Sequence, residues 1–299
     1  MFEQDSDAEL FHTREQLQDM GFIQKGNRWV RKKQAYLPLY EGKMFQAYDH
    51  RAAGVMVDPD KWVRKAQPDE TSLVQHQNPR FVVNPRWWID SEVVSDRLRA
   101  FAHPAFIAFK RVTSPTNERT LIATFLPRFA VVHTAPLLVT GGQTSARRSC
   151  CLLANLNSFT LDYVTRQKIG NIELSFFIIR QLPMLPPDAY AERCPWDRKQ
   201  TLERWISDRV LKLTCTAEDM RPLAEAAGFD PPIHRWDPTE RAELMAELDA
   251  AYFHLYGIGR DDAEYILSTF TGTARRDEAE HGYFRTAKLI LAAYDELGR

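Results

Sequence analysis

The sequence predicts an α+β protein, with a β-rich basic segment followed by an acidic, all-helical one. Three observations predict it. Charge is partitioned along the chain: residues 1–24 hold 1 Lys/Arg against 6 Asp/Glu, residues 25–185 hold 23 against 12, and residues 186–299 hold 15 against 22. The whole chain nevertheless carries only −1. Hydrophobic texture changes at the same places, from short β-branched and aromatic runs to helical spacing. Pro186-Pro187 marks the break between them. The expected organisation is an N-terminal helix over 1–24, a mixed α/β domain over 25–185 and a helical domain over 186–299.

Residues 7–24 read as one amphipathic helix with Leu10, Phe11, Leu17 and Met20 apolar. Thr13 is its cap, Gln16 the capping-box partner three residues on, and Gly21 its stop. Gly26-Asn27 is a hairpin signal. Ala35–Tyr40 and Met44–Tyr48 bracket Glu41-Gly42. Phe81–Val83, Trp87–Ile89, Phe106–Val112, Arg119–Phe125 and Phe129–His133 read as strands. From Cys150 to Lys168 the period becomes helical, with Leu152, Leu156, Phe159 and Tyr163 on one face. Helices follow over Arg198–Thr214, Glu218–Ala227, Pro238–Tyr256, Arg260–Phe270 and Arg285–Leu297. Asp237-Pro238 starts one of them, and Gly228 and Gly257 are stops.

Composition excludes several classes. At 44% hydrophobic and 26% charged the chain is globular rather than disordered. No apolar run reaches the roughly 18 residues of a membrane span. The acidic stretch from Met1 to Leu10 lacks the apolar centre of a secretory leader. Cys150, Cys151, Cys194 and Cys215 form no C-x-x-C pair, which argues against structural zinc and a disulfide framework. A reducing, cytoplasmic setting is expected. No phosphate-cradling loop, G-x-G-x-x-G or H-E-x-x-H is present. Gly141-Gly142 reads as a loop turn, and Asn84-Pro85-Arg86-Trp87 as a turn between strands.

Two constellations carry chemistry. Glu41-Gly42-Lys43 has the E-x-K spacing of metal-dependent nucleases, in which a Glu helps to hold Mg²⁺ and the Lys polarises the attacking water. A second set suits DNA. Lys43, His50 and Arg51 flank Gln46 and Tyr48, and Lys110-Arg111 precedes a polar loop with Asn117 and Arg119. Arg147-Arg148 and Arg166-Gln167-Lys168 add charge. Arg and Lys suit guanine or phosphate, whereas Asn and Gln suit adenine. A basic segment is what a phosphate backbone selects, through counterion release.

Several of these runs, in order, resemble a known family. Leu39–Met44 followed by Tyr48-Asp49-His50-Arg51 resembles a run in large bacterial restriction–modification proteins, the adenine-specific DNA methyltransferases often fused to a nuclease. Pro85–Trp88, Phe109–Arg111, Thr116–Thr120, Leu153–Ser158, Tyr163, Arg166–Lys168 and Gln181–Pro183 follow in the family's order. Glu247–Ala250, His254–Gly257, Tyr265–Leu267 and Thr269-Phe270 extend it over residues 10–297. The family's Gly-rich cofactor motif and its Asn-Pro-Pro-Tyr catalytic motif have no counterpart here, and Ile169-Gly170-Asn171 stands where the family has Gly-Gly.

The resemblance implies the C-terminal target-recognition part of such an enzyme, as a fragment or a separate specificity subunit. Its partners are then double-stranded DNA and a methyltransferase, or methyltransferase–nuclease, domain or subunit, with no membrane. It implies no cofactor in this chain, with S-adenosylmethionine bound by the methyltransferase part, and no catalytic residues here. The DNA-binding set expected is Lys43, Gln46, His50, Arg51, Lys110, Arg111, Asn117, Arg119, Arg166, Gln167 and Lys168. The alternatives are a Mg²⁺-dependent nuclease using Glu41 and Lys43, and a non-enzymatic protein-interaction fragment.

Overall fold

The structure, a computed structural model, describes residues 1–58, 60, 66–140 and 144–299. Gly141-Gly142 lies outside the described residues. In chain order the elements are α1 (Arg14–Asp19), β1 (Ile23–Lys25), β2 (Arg28–Arg31), β3 (Gln34–Tyr40), β4 (Ala53–Val57), β5 (Ala66–Glu70), α2 (Leu73–Gln77), β6 (Trp87–Asp90) and α3 (Ser91–Arg97). They continue with β7 (Ala105–Phe109), β8 (Ala123–Pro127), β9 (Ala130–Val131), β10 (Leu137–Leu138), α4 (Ala146–Asn157), α5 (Phe159–Lys168) and α6 (Phe176–Ile179). Last come β11 (Arg193–Cys194), β12 (Asp197–Thr201), α7 (Leu202–Thr214), α8 (Arg221–Ala226), α9 (Pro238–Leu255), α10 (Arg260–Ser268), α11 (Thr271–His281) and α12 (Arg285–Leu297). With 44% of residues helical and 19% in strands, the chain is mixed α and β. Among the described residues no helix is long and apolar enough to cross a membrane.

The residues separate into two compact units. One takes Met1–Arg111, Thr124–Thr144 and Thr214–Arg235; the other takes Val112–Ala123, Ser145–Leu213 and Trp236–Arg299. Each unit therefore draws on both the basic and the acidic stretches of the chain.

The first unit is organised by a sheet of order β1-β2-β3-β6, antiparallel throughout, with β9 parallel to β3. Side chains alternate across a strand, and β3 uses both faces. Tyr36 joins Leu17, Phe22, Trp29 and Trp88 in one core. Leu37 and Leu39 join Phe2, Met44, Phe45, Ile89, Phe106 and Val131 in the other. Trp29 and Trp88 meet edge to face at 6.0 Å, an arrangement worth about 0.5–1.5 kcal/mol beyond the area it buries.

Local signals act here as the sequence predicts, whereas longer-range contacts override others. Thr13 caps α1 with Gln16 as its reciprocal partner, and Gly21 follows with φ +78°. The helix does not begin at residue 7, because His12 and Trp88 exchange backbone hydrogen bonds in both directions and hold the chain extended there. Phe81–Val83 forms no strand. The carbonyls of Asn78 and Phe81 are instead taken by the guanidinium of Arg51.

Gly42 marks a close approach. A Cβ there would lie 2.5 Å from the carbonyl oxygen of Thr134, while Gly42 N–H donates to Thr134 Oγ1 at 3.1 Å. Gly42→Ala therefore forces the backbone apart. It should lower the urea midpoint by the equivalent of about 1–3 kcal/mol, the usual cost of overpacking. An unchanged midpoint would show that the two segments separate freely.

The second unit is mainly helical. Its core gathers Phe159, Phe253, Ala263, Ile266, Leu267, Phe270 and Ile290. The helical run expected over 150–168 is two helices, broken at Ser158, which is extended and whose hydroxyl accepts from Leu161 N. Asp237 caps α9 as expected, accepting from Thr239 and Glu240 N–H. The C-terminal region is not all-helical. β11 and β12 pair as a hairpin, because Pro195 suits the second position of the turn Cys194-Pro195-Trp196-Asp197. Helix α11 was not foreseen: only Thr273 and Asp277 of it are buried, so it has no apolar stripe to read.

Candidate nucleic-acid interface

The expected DNA-contacting residues fall in both units, and they do different things. In the first unit the run from Tyr40 to Arg51 folds back on itself. Gly42–Met44 makes one 3-10 turn and drives Met44 and Phe45 into the core. Gln46 and Asp49 then exchange backbone hydrogen bonds at 2.8 and 3.0 Å, closing a tight turn in which Tyr48 takes φ +60°. Left-handed backbone is uncommon for an aromatic residue, so the packing around the turn must impose it.

Arg51 is 1% exposed. Its Nη1 donates to the carbonyls of Asn78 and Phe81 at 2.9 and 3.1 Å, and its Nη2 to those of His76 and Thr216 at 3.0 and 3.2 Å. Asp49 accepts from Arg51 N–H and pairs with His76 at 3.0 Å. His50, also buried, bonds Asp219 at 2.9 Å, and Asp219 accepts from Asn27. Burial by itself would raise the pKa of Asp219, but the charge and hydrogen bond of His50, with Arg51 and Asn27, hold it below the usual carboxylate range. Burial likewise pushes the Tyr40 hydroxyl up. This network ties residues 40–51 to 76–81 and 216–219. His50 and Arg51 thus act as internal fasteners, a use of their chemistry that leaves no donor facing a phosphate.

The remaining candidates of this unit lie nearer the surface. Lys43 is partly exposed and binds Glu41 at 3.2 Å and the Ala66 carbonyl at 3.1 Å. Gln46 is exposed. Burial lowers the Lys110 amine to about 8, and the amine sits 5.9 Å from the Phe45 ring centroid. Arg111 is half-buried, its N–H donating to the Thr134 carbonyl. Glu41 is buried with Oε1 lacking a hydrogen-bond partner. Among the described residues, however, no group of three His, Cys, Asp or Glu side chains is placed to hold a metal ion.

In the second unit the other five candidates converge. The loop from Thr113 to Thr120 is closed by Thr113 Oγ1 on the Thr120 carbonyl and Thr120 Oγ1 on the Ser114 carbonyl. Asp162 of α5, fully buried, accepts from the Thr120 and Leu121 N–H groups and from Arg119 Nε at 2.7 Å. One turn further along α5, Arg166 Nη2 donates to the carbonyls of Asn117 and Glu118 at 2.7 and 2.9 Å. The Arg119 guanidinium lies 3.9 Å from the Phe159 ring centroid, and that of Arg166 lies 3.8 Å from Phe270. Thr273 Oγ1 donates to the Glu118 carbonyl, and Arg276 pairs with the Glu118 carboxylate.

The outcome is a loop clamped against the last turn of α5, with the side chains of Asn117, Gln167 and Lys168 left exposed. Arg119 and Arg166 do the clamping. Around the clamp, Asp162 pairs with Arg119 and Arg166, and Arg276 pairs with Glu118 and Asp277. Exposed amide groups and an ammonium can bond base edges and phosphate oxygens. Arg147 and Arg148 are engaged with Ser207, Asp208 and Glu203. Residue type alone does not separate the exposed donors from the clamps. The partner Asp162 lies 43 residues from Arg119.

Comparison with protein-family models, with curated proteins and with solved structures returns no match.

Proposed function

We propose that this chain is a DNA target-recognition module serving an adenine-specific methyltransferase of a restriction–modification system. The reading rests on the ordered family-like runs over residues 10–297. What supports it in the geometry is the clamped loop, which ties the Asn117 carbonyl to Arg166, the residue before the exposed Gln167 and Lys168. Recognition is assigned to the basic, β-containing part and bracing to the acidic helical part, in a cytoplasmic protein. Methyl transfer, with S-adenosylmethionine, is assigned to a partner methyltransferase domain or subunit, which takes the extruded adenine while this module grips the duplex. Val112 and Ile172 suit such a partner, being apolar, exposed at 61% and 69%, and brought together by the Val112–Glu173 bridge.

The test is selection of preferred duplexes from a randomised pool by the isolated chain. A preferred sequence should emerge. Each bidentate base contact discriminates by about 1–3 kcal/mol, so Asn117→Ala with Gln167→Ala should relax that preference by at least 10-fold. Lys168→Ala should weaken all duplexes alike. A pool that stays random would refute target recognition.

A further inference from the structure

The strands that open the first unit carry a charge pattern that the clamped loop does not account for. From Met20 to Tyr40 the sequence holds Lys25, Arg28, Arg31, Lys32 and Lys33, and no Asp or Glu. All five cations are exposed. Strands β1 and β2 are joined by the two-residue loop Gly26-Asn27, and β2 and β3 by Lys32-Lys33. The cations therefore line both ends of β2, whose four residues span roughly 10 Å. Among the described residues none of the five pairs with a carboxylate. Arg31 donates to the Met20 carbonyl and lies 5.8 Å from the Phe22 ring centroid. Nearby acids are Asp19, exposed and next in sequence to the Met20 that takes Arg31, Asp219, which is buried on His50 and Asn27, and Asp90, which lies opposite Tyr36 in the register.

Two choices here work against folding. The register sets Lys25 directly opposite Arg28, so two like charges share one face, which destabilises a strand pair. Lys32 occupies φ +53°, in a two-residue hairpin loop where Gly or Asn is the ordinary residue. A sequence selected for stability alone would place neither residue there. Both choices put positive charge outward where, among the described residues, no carboxylate pairs with it.

We propose that the β1–β2–β3 tip is a phosphate-contacting strip that grips duplex DNA independently of its sequence. The inference rests on the reading of the chain as DNA-binding and adds a second, non-reading contact to the recognition site. A duplex carries one charge per about 1.7 Å of its axis, so a strip of this length meets several phosphates. Lys and Arg there would each displace a condensed counterion.

The experiment is binding of the full chain to a random-sequence duplex across a salt series. It compares the natural chain with the combined Lys25→Ala, Arg28→Ala, Lys32→Ala and Lys33→Ala variant. Loss of four phosphate contacts should reduce the slope of log affinity against log salt by roughly 3 to 4. Lys25→Glu separates lost binding from lost folding: it replaces a like-charge pair by an opposite one, so it should raise the unfolding midpoint while weakening binding. An unchanged slope in the fourfold variant overturns the strip. So does self-association of that variant with unchanged DNA binding, which would make the cations guards of the β1 edge. A strip-dependent slope with no preferred sequence leaves the strip standing and removes target recognition. Absence of any duplex binding by the natural chain overturns both.

Discussion

Arg51→Ala should destabilise the first unit by about 3–5 kcal/mol, the loss seen when one side of a buried charged network is removed. The guanidinium serves four carbonyls, from His76, Asn78, Phe81 and Thr216. Those carbonyls belong to two segments that pair with no strand at these points, and of the four the Asn78 carbonyl also accepts from Phe81 N–H, at 3.0 Å. Each buried carbonyl left without a partner costs about 1–3 kcal/mol. Arg51→Lys should recover little, because an ammonium cannot reach four acceptors in the plane of a guanidinium. The measurement is urea unfolding with the slope monitored, since a fall in midpoint at constant slope reports stability alone. A loss below about 1 kcal/mol would mean that residues 76–81 and 216 are held by other means. Sequence reading placed Arg51 on DNA; this result would place its contribution in the fold.

The same contrast explains how much was legible in the sequence. Signals that act within a few residues were readable: the Thr13–Gln16 capping box, the Asp237-Pro238 helix start and the Gly26-Asn27 hairpin each satisfy their own backbone groups locally. The break at Ser158 was not readable. Leu152, Leu156, Phe159 and Tyr163 keep helical spacing straight through it, and only the buried Ser158 cap interrupts the ladder. Among the candidate residues, whether a side chain is exposed or engaged inside the fold is not legible from its type. Arg51 and Arg119 look like DNA contacts because Arg binds phosphate and guanine. The groups that claim them are carbonyls and a carboxylate 25 to 165 residues distant. Gln167 and Lys168 stayed available for a simple reason: they follow Arg166 on the last turn of α5 and point away from the core that Arg166 faces.

Stability should fall as pH rises from about 4 to about 7, and Asp249 should be the cause. Burial pushes its carboxyl up from 3.8 to about 7, against the pull of Arg119, with Asp162 adding to the rise. In that window the folded protein holds a proton that the unfolded chain has released. The slope of unfolding free energy is then negative, at about 1.4 kcal/mol per pH unit for one such group. The contribution is fully present below the unfolded value of 3.8 and is lost as pH passes through the folded value, on the order of 4 kcal/mol in all. Asp7, held down to about 2 by Arg97, acts in the opposite sense but in a lower window. The difference between natural chain and Asp249→Asn isolates the group. The amide keeps an acceptor for Phe159 N–H, now bonded at 2.7 Å, and never ionises. The two curves should converge only below the unfolded value of 3.8, diverge as pH rises through the window, and leave the variant the more stable at pH 8. Parallel curves across the range would show that Asp249 is ionised throughout. The consequence reaches the candidate interface, because Phe159 opens α5 and Asp162, Arg166, Gln167 and Lys168 lie along it. Ionisation of Asp249 places a buried charge at the start of the helix whose far end holds the clamped loop. Loosening of α5 at high pH should therefore expose the Thr120 and Leu121 N–H groups to hydrogen exchange in the natural chain and not in Asp249→Asn.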